Sequence, residues 1–179
     1  MESFSETIRP NAQNAKLIRS AREEVNNIAG TQQRNSHHYI GVHLRRGDRH
    51  AVSWRYHAGY VPISEYVEAV QDTSLRFLTQ NETIAVYIAS DSPSAEAELV
   101  DALPSNMPLF SLSRSQNPEL RTLASSNDYV QVEFDKLESE KRVNLTRGMV
   151  VDFALLNGMW AWNDDIIPKA TVCTIRYEE

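Results

Sequence analysis

Two arginines and an aspartate follow directly on a buried-type strand in the segment Tyr39–Arg49, which reads YIGVHLRRGDR. Ile40, Val42 and Leu44 alternate along it, as the core-facing row of a strand does, and this places His43 on the opposite side. Guanidinium groups at such a strand end are rigid forks of donors that match phosphate oxygens. In an open α/β sheet, ligands bind at this carboxyl end of the strands. The segment therefore predicts an anion site, and a diphosphate is the best-matched ligand.

Arg45 and Arg46 are the first candidates for contact with a diphosphate, and Asp48 is a candidate to orient one of them through paired hydrogen bonds. The alternative is a surface loop in which Arg46 pairs with Asp48 and binds nothing. The position directly after a buried-type strand favours the anion site. His43 is expected near the ligand, and the alternative for it is a core histidine whose hydrogen bonds are satisfied.

Two further carboxylates stand at informative positions. Asp91 follows an apolar strand over Ile84–Ala89, so it is expected at the same sheet edge, where it can accept hydrogen bonds from a base or ribose. The alternative for Asp91 is a residue that only forms a turn. Asp152 lies within the otherwise apolar segment Gly148–Leu156. A buried aspartate needs a partner, and the arginines across the sheet edge are the expected ones.

Three segments in order carry a resemblance to a known family: His43–Asp48, Val86–Ser94 and Arg147–Leu156, which read HLRRGD, VYIASDSPS and RGMVVDFALL. The first resembles the His-x-Arg-Arg-x-Asp motif of the GDP-fucose-dependent fucosyltransferases, the α1,6- and protein O-fucosyltransferase group. The other two resemble that family's second strand with its acidic turn and its Arg-Gly-x-x-x-Asp-x-x-x-Leu helix. The matches span most of the chain.

This resemblance implies a fold and an activity. The fold is α/β, a Rossmann-like parallel sheet with helices on both faces, similar to the C-terminal domain of a GT-B glycosyltransferase. The activity is transfer of fucose from GDP-fucose to an acceptor hydroxyl on a glycan or a protein, with inversion and without a metal or other cofactor. The family works in the lumen of the endoplasmic reticulum or Golgi, although the chain contains no targeting signal.

The resemblance also implies roles for single residues. Arg45 matches the phosphate-contacting arginine and is expected to be catalytic, while Arg46 supports the site. Asp152 matches a donor-site aspartate, and both a general base and an organiser of the donor site fit it. Ser92 stands where the α1,6 enzymes have a second carboxylate, so base recognition is expected to differ in detail. Arg147 fits a phosphate contact and a helix-face interaction equally well.

The chain departs from the family at its last strand. There the family has Cys-Thr, an aromatic residue and two serines, whose hydroxyls receive phosphates at a helix start. Here Thr174 is retained as a candidate donor contact, but Arg176–Glu179 replaces the serines. Residues 1–36 are also too short for the family's acceptor-side domain. We therefore expect a donor-binding half, cut at both ends, with weak GDP binding at best and no measurable transfer. The alternative is a non-catalytic module that binds a guanine nucleotide or nucleotide sugar.

Composition narrows the possible partners. The net charge of −6 argues against nucleic acid as a partner. No run of about 20 apolar residues is present, so no membrane span is expected. The single cysteine forms no internal disulfide and no cysteine-based zinc site. Asp164 and Asp165 follow a helix without convincing ligand spacing, so no metal site is predicted. The glycine-rich motifs of P-loop and dinucleotide-binding enzymes are absent.

Strands and helices alternate along the chain, which indicates a parallel sheet covered on both faces. Residues 1–36 are interpreted as an N-terminal helix and linker, and residues 37–179 as the nucleotide-sugar-binding domain, incomplete at its C-terminus. A single long helix is expected from about Phe134 to Trp160, followed by a closing strand over Ala170–Ile175.

Overall fold

The computed structural model describes residues 9–30, 38–47, 60–77, 84–161 and 165–173. Two of the expected binding residues, Asp48 and Thr174, lie outside the described residues, as does Asp164.

The described strands form a four-stranded, all-parallel sheet in the order β3-β2-β1-β4. The strands are β1 (His38–Leu44), β2 (Ala85–Ser90), β3 (Leu109–Phe110) and β4 (Ile167–Cys173). The order 3-2-1-4 is that of a Rossmann-like sheet, and it places β1 beside both β2 and β4. The predicted fold class is confirmed.

Helices cover both faces of this sheet. They bury the side chains of β1, which point alternately to one face and to the other. Ile40, Val42 and Leu44 are buried in the core on one face, beneath α2 (Ile63–Phe77) and α3 (Pro93–Ala102). Tyr39 belongs to the core on the other face, which contains residues of α1 (Ala12–Gly30), α4 (Pro118–Arg121) and α6 (Ser139–Asn157). Each face thus has its own hydrophobic core, and the backbone of the sheet is shielded between them.

A serine and a proline define the start of α3. Ser92 is the N-cap, its hydroxyl oxygen accepts the backbone N–H of Ala95 at 3.2 Å, and Pro93 occupies the first helical turn. This arrangement satisfies an amide that the helix itself leaves unpaired. It fixes the chain immediately after β2, where Asp91 lies.

The predicted long helix over Phe134–Trp160 is wrong. Two helices occupy this region, α5 (Gln131–Lys136) and α6, and the residues between them, Leu137 and Glu138, are extended with ψ of 149°. Neither residue is glycine or proline, so the two residue types that most often break a helix are absent from the break. The consequence is that α5 is free to take a different direction from α6.

The last described strand begins earlier than predicted, at Ile167 instead of Ala170. Pro168 and a register shift opposite Tyr39 and Ile40 interrupt its start. A proline is tolerated here because β4 lies at the edge of the described sheet.

Helix α6 is held close to its neighbours at its middle and near its C-terminal end. At Gly148 an added Cβ would collide with the backbone carbonyl of Leu123, so only glycine permits this approach. Near the C-terminal end, Arg22 of α1 is 2% exposed and donates to the carbonyl oxygens of Met159 at 2.5 Å and Trp160 at 2.9 Å. A cation at this end also complements the partial negative charge of the helix terminus.

None of the described helices combines the length and apolarity needed to cross a membrane.

Candidate functional site

A cavity of about 820 Å³ opens at the carboxyl edge of the sheet. His43 and Arg45 from the end of β1, Asp91 from the end of β2 and Asp152 from α6 all line it. Four residues that the sequence assigned to one site thus lie around one cavity, although they are up to 109 positions apart in the chain. This is the edge where ligands bind in open α/β sheets.

Asp91 fixes the loop that carries the arginines. Its Oδ1 accepts hydrogen bonds from the backbone N–H groups of Arg46 at 2.6 Å and Gly47 at 3.1 Å. Its Oδ2 lies 3.6 Å from the Nε of Arg45. Gly47 sits so close to the backbone of Tyr129 that an added Cβ would lie 2.6 Å from its carbonyl oxygen. Asp91 therefore ties the strand ends together, and one of its oxygens is already used by the protein.

Arg45 is the arginine of the cavity. Its side chain is 43% exposed, and in the described part of the chain its charged partner is Asp91 alone. That contact engages Nε and leaves the two terminal nitrogens of the guanidinium for a ligand. Two such parallel donors match the oxygens of a phosphate group.

Arg46 has a different role. Its Nη2 donates to the carbonyl oxygen of Val61 at 2.7 Å, and its guanidinium lies 5.1 Å from the centre of the Tyr60 ring. The Tyr60 hydroxyl in turn donates to the carbonyl oxygen of Gly47 at 2.7 Å. Arg46 is absent from the described lining of the cavity. Its contacts hold the segment before α2 against the Arg45 loop.

His43 is half-buried beside Arg45. Burial lowers the pKa of its imidazole, the positive charge of Arg45 lowers it further, and the carboxylate of Asp91 partly opposes both effects. The net shift favours the neutral form of the imidazole, which has both a donor and an acceptor nitrogen.

Asp152 does not pair with an arginine in the described structure, so the expected partner was wrong. Its Oδ1 accepts a short hydrogen bond from the hydroxyl of Tyr87, a fully buried residue in the middle of β2. Burial raises the pKa of Asp152 to about 7; the Tyr87 hydrogen bond lowers it and the charge of Glu96 raises it further. A carboxyl group with this pKa exchanges a proton readily near neutral pH.

Glu96 is a further carboxylate of the cavity, and the sequence analysis did not single it out. Its Oε1 accepts hydrogen bonds from the hydroxyls of Ser111 at 2.5 Å and Ser113 at 2.6 Å. Glu96 lies in the first turn of α3, and the two serines follow β3. The signal that Glu96 belongs to the site was available, because it lies in the first turn of the helix that follows the carboxyl end of β2.

Aromatic and apolar side chains form another part of the cavity wall. Tyr129 and Phe134 pack against each other with ring centres 5.6 Å apart, and both line the cavity. Met149 and Phe153, one turn apart on α6, are also in the lining and remain largely exposed. Flat apolar surfaces of this kind suit a base or the less polar face of a sugar.

Ser92 and Arg147 lie apart from the described cavity lining. Ser92 is buried, and besides capping α3 its hydroxyl donates to Asp128 at 2.7 Å. Arg147 donates to the side-chain oxygen of Asn144 on its own helix at 3.0 Å. Within the described ranges no group of three His, Cys, Asp or Glu side chains is arranged to hold a metal ion.

Comparison of the chain with models of known protein families and with curated protein sequences gives no match.

Proposed function

We propose that this domain binds the diphosphate of a guanine nucleotide sugar, GDP-fucose, and is the donor-binding domain of a fucosyltransferase. The observation that carries the proposal is the placement of Arg45. Its guanidinium is presented to a large cavity at the carboxyl edge of a parallel sheet, and its terminal nitrogens are free of described protein partners. The sequence resemblance supplies the identity of the donor.

The charges of the cavity support one orientation of such a ligand. Arg45 lies beside Asp91, whereas Asp152 lies close enough to Glu96 for the negative charge of Glu96 to raise its pKa. A diphosphate is attracted to the guanidinium and repelled by the two carboxylates. Groups that donate hydrogen bonds, such as a base N–H or a sugar hydroxyl, belong at the carboxylates.

The proposed reaction is a single displacement. The acceptor oxygen forms a bond to the anomeric carbon of fucose, the bond from that carbon to the diphosphate breaks, and GDP departs with the electron pair. Arg45 stabilises the charge that develops on the departing diphosphate. Asp152 is the second residue of the proposal, since its carboxylate can accept a hydrogen bond from the ligand and, with a pKa of about 7, a proton.

The test is a calorimetric titration with GDP, UDP and ADP, each with and without a chelator. We expect GDP to bind at least about tenfold more tightly than UDP, a difference of about 1.4 kcal/mol. We also expect the chelator to change nothing, because the guanidinium takes the place of a cation at the diphosphate. A strict requirement for manganese or magnesium, or equal affinity for all three nucleotides, would contradict the proposal.

A second assay separates an enzyme from a binding module. The protein is incubated with GDP-fucose alone and with a mixture of glycan and peptide acceptors, and released GDP is measured. GDP release that depends on Arg45 supports a transferase. Tight binding without GDP release supports the non-catalytic alternative.

A further inference from the structure

We propose that Tyr87 is a positioning residue: its buried hydroxyl fixes the Asp152 carboxylate so that Oδ2 accepts a hydrogen bond from an N–H or O–H group of the ligand. The inference rests on the proposed function, because it treats Asp152 as a ligand-binding residue of the cavity. It adds a residue of the apolar strand Ile84–Ala89 to which the sequence analysis gave no role of its own.

The ring of Tyr87 has no freedom to move. Its side chain is 0% exposed and lies in the central part of the sheet, where β2 pairs with β1 on one side and β3 on the other. The ring stacks on Phe110 with centres 5.7 Å apart and meets the edge of Tyr39 at 6.3 Å. The hydroxyl is therefore held at one point by packing, and its hydrogen bond defines where Oδ1 of Asp152 lies.

One carboxylate oxygen of Asp152 accepts a hydrogen bond from the protein, and the other can accept one from a ligand. Oδ1 accepts from Tyr87, and Oδ2 has no donor among the described residues, although the side chain lines the cavity. A carboxylate fixed through one oxygen presents the other in a single direction, which is what recognition of a donor group requires. Without the Tyr87 hydroxyl, the carboxylate is able to rotate and the site loses that direction.

The hydroxyl also favours the charged form of the carboxylate. The described ionisable groups that line the cavity with Asp152 are His43 and Arg45 at the end of β1, Asp91 after β2, Glu96 of α3 and Tyr129. Burial and Glu96 raise the pKa of Asp152, and the Tyr87 hydrogen bond opposes them. Removing the hydroxyl should therefore raise this pKa further, so that ligand binding through the ionised carboxylate requires a higher pH.

Tyr87→Phe tests the proposal, and Tyr39→Phe is its matched control. Both changes remove one buried tyrosine hydroxyl from the same aromatic cluster and keep the ring. The Tyr39 hydroxyl donates to the backbone carbonyl of Leu155 at 2.6 Å and is absent from the described cavity lining. A loss of packing or of a buried hydrogen bond therefore affects both variants, whereas the hydrogen bond to Asp152 is lost only in Tyr87→Phe.

The first measurement is the pKa of the Asp152 carboxyl group in the ligand-free protein, obtained by carbon NMR from the chemical shift of that group as the pH is changed. We expect Tyr87→Phe to raise it by about half a unit or more and Tyr39→Phe to leave it unchanged. Equal pKa values in the two variants would overturn the proposal. This measurement does not depend on GDP, so it decides the role of Tyr87 even if the protein fails to bind a nucleotide.

The second measurement is GDP affinity from about pH 5.5 to 8.5, the range in which Asp152 titrates. In the wild type, affinity should rise with pH as Asp152 ionises. In Tyr87→Phe the rise should move to higher pH and affinity at pH 7 should fall about fivefold, while Tyr39→Phe follows the wild type. In Asp152→Asn the part of the rise that comes from the carboxylate should disappear, leaving the part that comes from ionisation of the GDP phosphate. Adding Tyr87→Phe to Asp152→Asn should then have no effect on the profile. A pH profile of Tyr87→Phe that matches Tyr39→Phe would overturn the proposal.

Discussion

The carboxylate of Asp91, at the end of β2, accepts the backbone N–H of Arg46, just past the end of β1, at 2.6 Å. Asp91, which follows β2, thereby fixes the loop that follows the neighbouring strand β1. The same carboxylate lies 3.6 Å from the Nε of Arg45. The direction of the cavity's arginine thus depends on a residue 46 positions away in the chain.

Asp91→Ala should destabilise the fold and weaken nucleotide binding together. It leaves the N–H groups of Arg46 and Gly47 without an acceptor, which costs about 1–3 kcal/mol for each group that water cannot reach. Denaturant unfolding and GDP titration measure the two effects. Asp101→Ala, an exposed aspartate of α3, is the control and should change neither. Normal stability in Asp91→Ala would mean that other groups hold the loop.

Arg22→Leu should be strongly destabilising. The buried guanidinium serves the carbonyl oxygens at the end of α6 and lies 3.4 Å from Asp165, so its loss leaves several polar groups unpaired. The expected cost is about 3 kcal/mol or more of unfolding free energy. Arg19→Leu changes an exposed arginine of the same helix and should stay within about 0.5 kcal/mol of the wild type. Similar unfolding midpoints for the two variants would contradict this account of Arg22.

Gly148→Ala should push α6 away from Leu123. The added methyl group meets a backbone carbonyl, which has no rotamer through which to yield. We expect a loss of about 1–3 kcal/mol, the usual range for overpacking. Gly30→Ala is the matched control, because an added Cβ there meets nothing within 4 Å. Chemical denaturation compares the two variants, and equal stability would show that α6 shifts without cost.

Asp152→Asn should stabilise the protein at high pH. The folded-state pKa of about 7 lies above the ordinary value of 3.8, so ionisation opposes folding. The loss of unfolding free energy caused by this ionisation is absent below about pH 4, grows as the pH rises towards 7 and is complete above about pH 7. Its upper limit is about 4 kcal/mol, at about 1.4 kcal/mol per pKa unit. Unfolding curves of both proteins from about pH 4 to 8 test this. If the unfolding free energies of Asp152→Asn and the wild type differed by the same amount at every pH in that range, the pKa of the Asp152 carboxyl group would not be raised by folding.

The fold was predictable because its signals are local. The alternating residues of β1 and the serine and proline at the start of α3 each specify one element, and the succession of strands and helices specifies a parallel sheet. The break between α5 and α6 was not predictable in this way. Leu137 and Glu138 are both compatible with a helix, yet both have an extended backbone in the structure.

The cavity was predictable in part. Arg45, Asp91 and Asp152 share it because the carboxyl ends of parallel strands meet at one edge. The hydrogen-bond partner of Asp152 was not predictable, since a tyrosine in the middle of an apolar strand has the pattern of a core residue. The pairing depends on α6 crossing the sheet at the height of Tyr87, and that position follows from packing such as the Gly148 contact.

The central claim is that Arg45 binds a diphosphate, and the GDP affinity of Arg45→Ala tests it most directly. Calorimetry compares the wild type with this variant and with Arg142→Ala, which removes an exposed arginine of α6 outside the described cavity lining. We expect a loss of about 2 kcal/mol or more for Arg45→Ala, which is roughly thirtyfold in Kd, and no change for Arg142→Ala. Equal GDP affinity in the wild type and Arg45→Ala would contradict the claim.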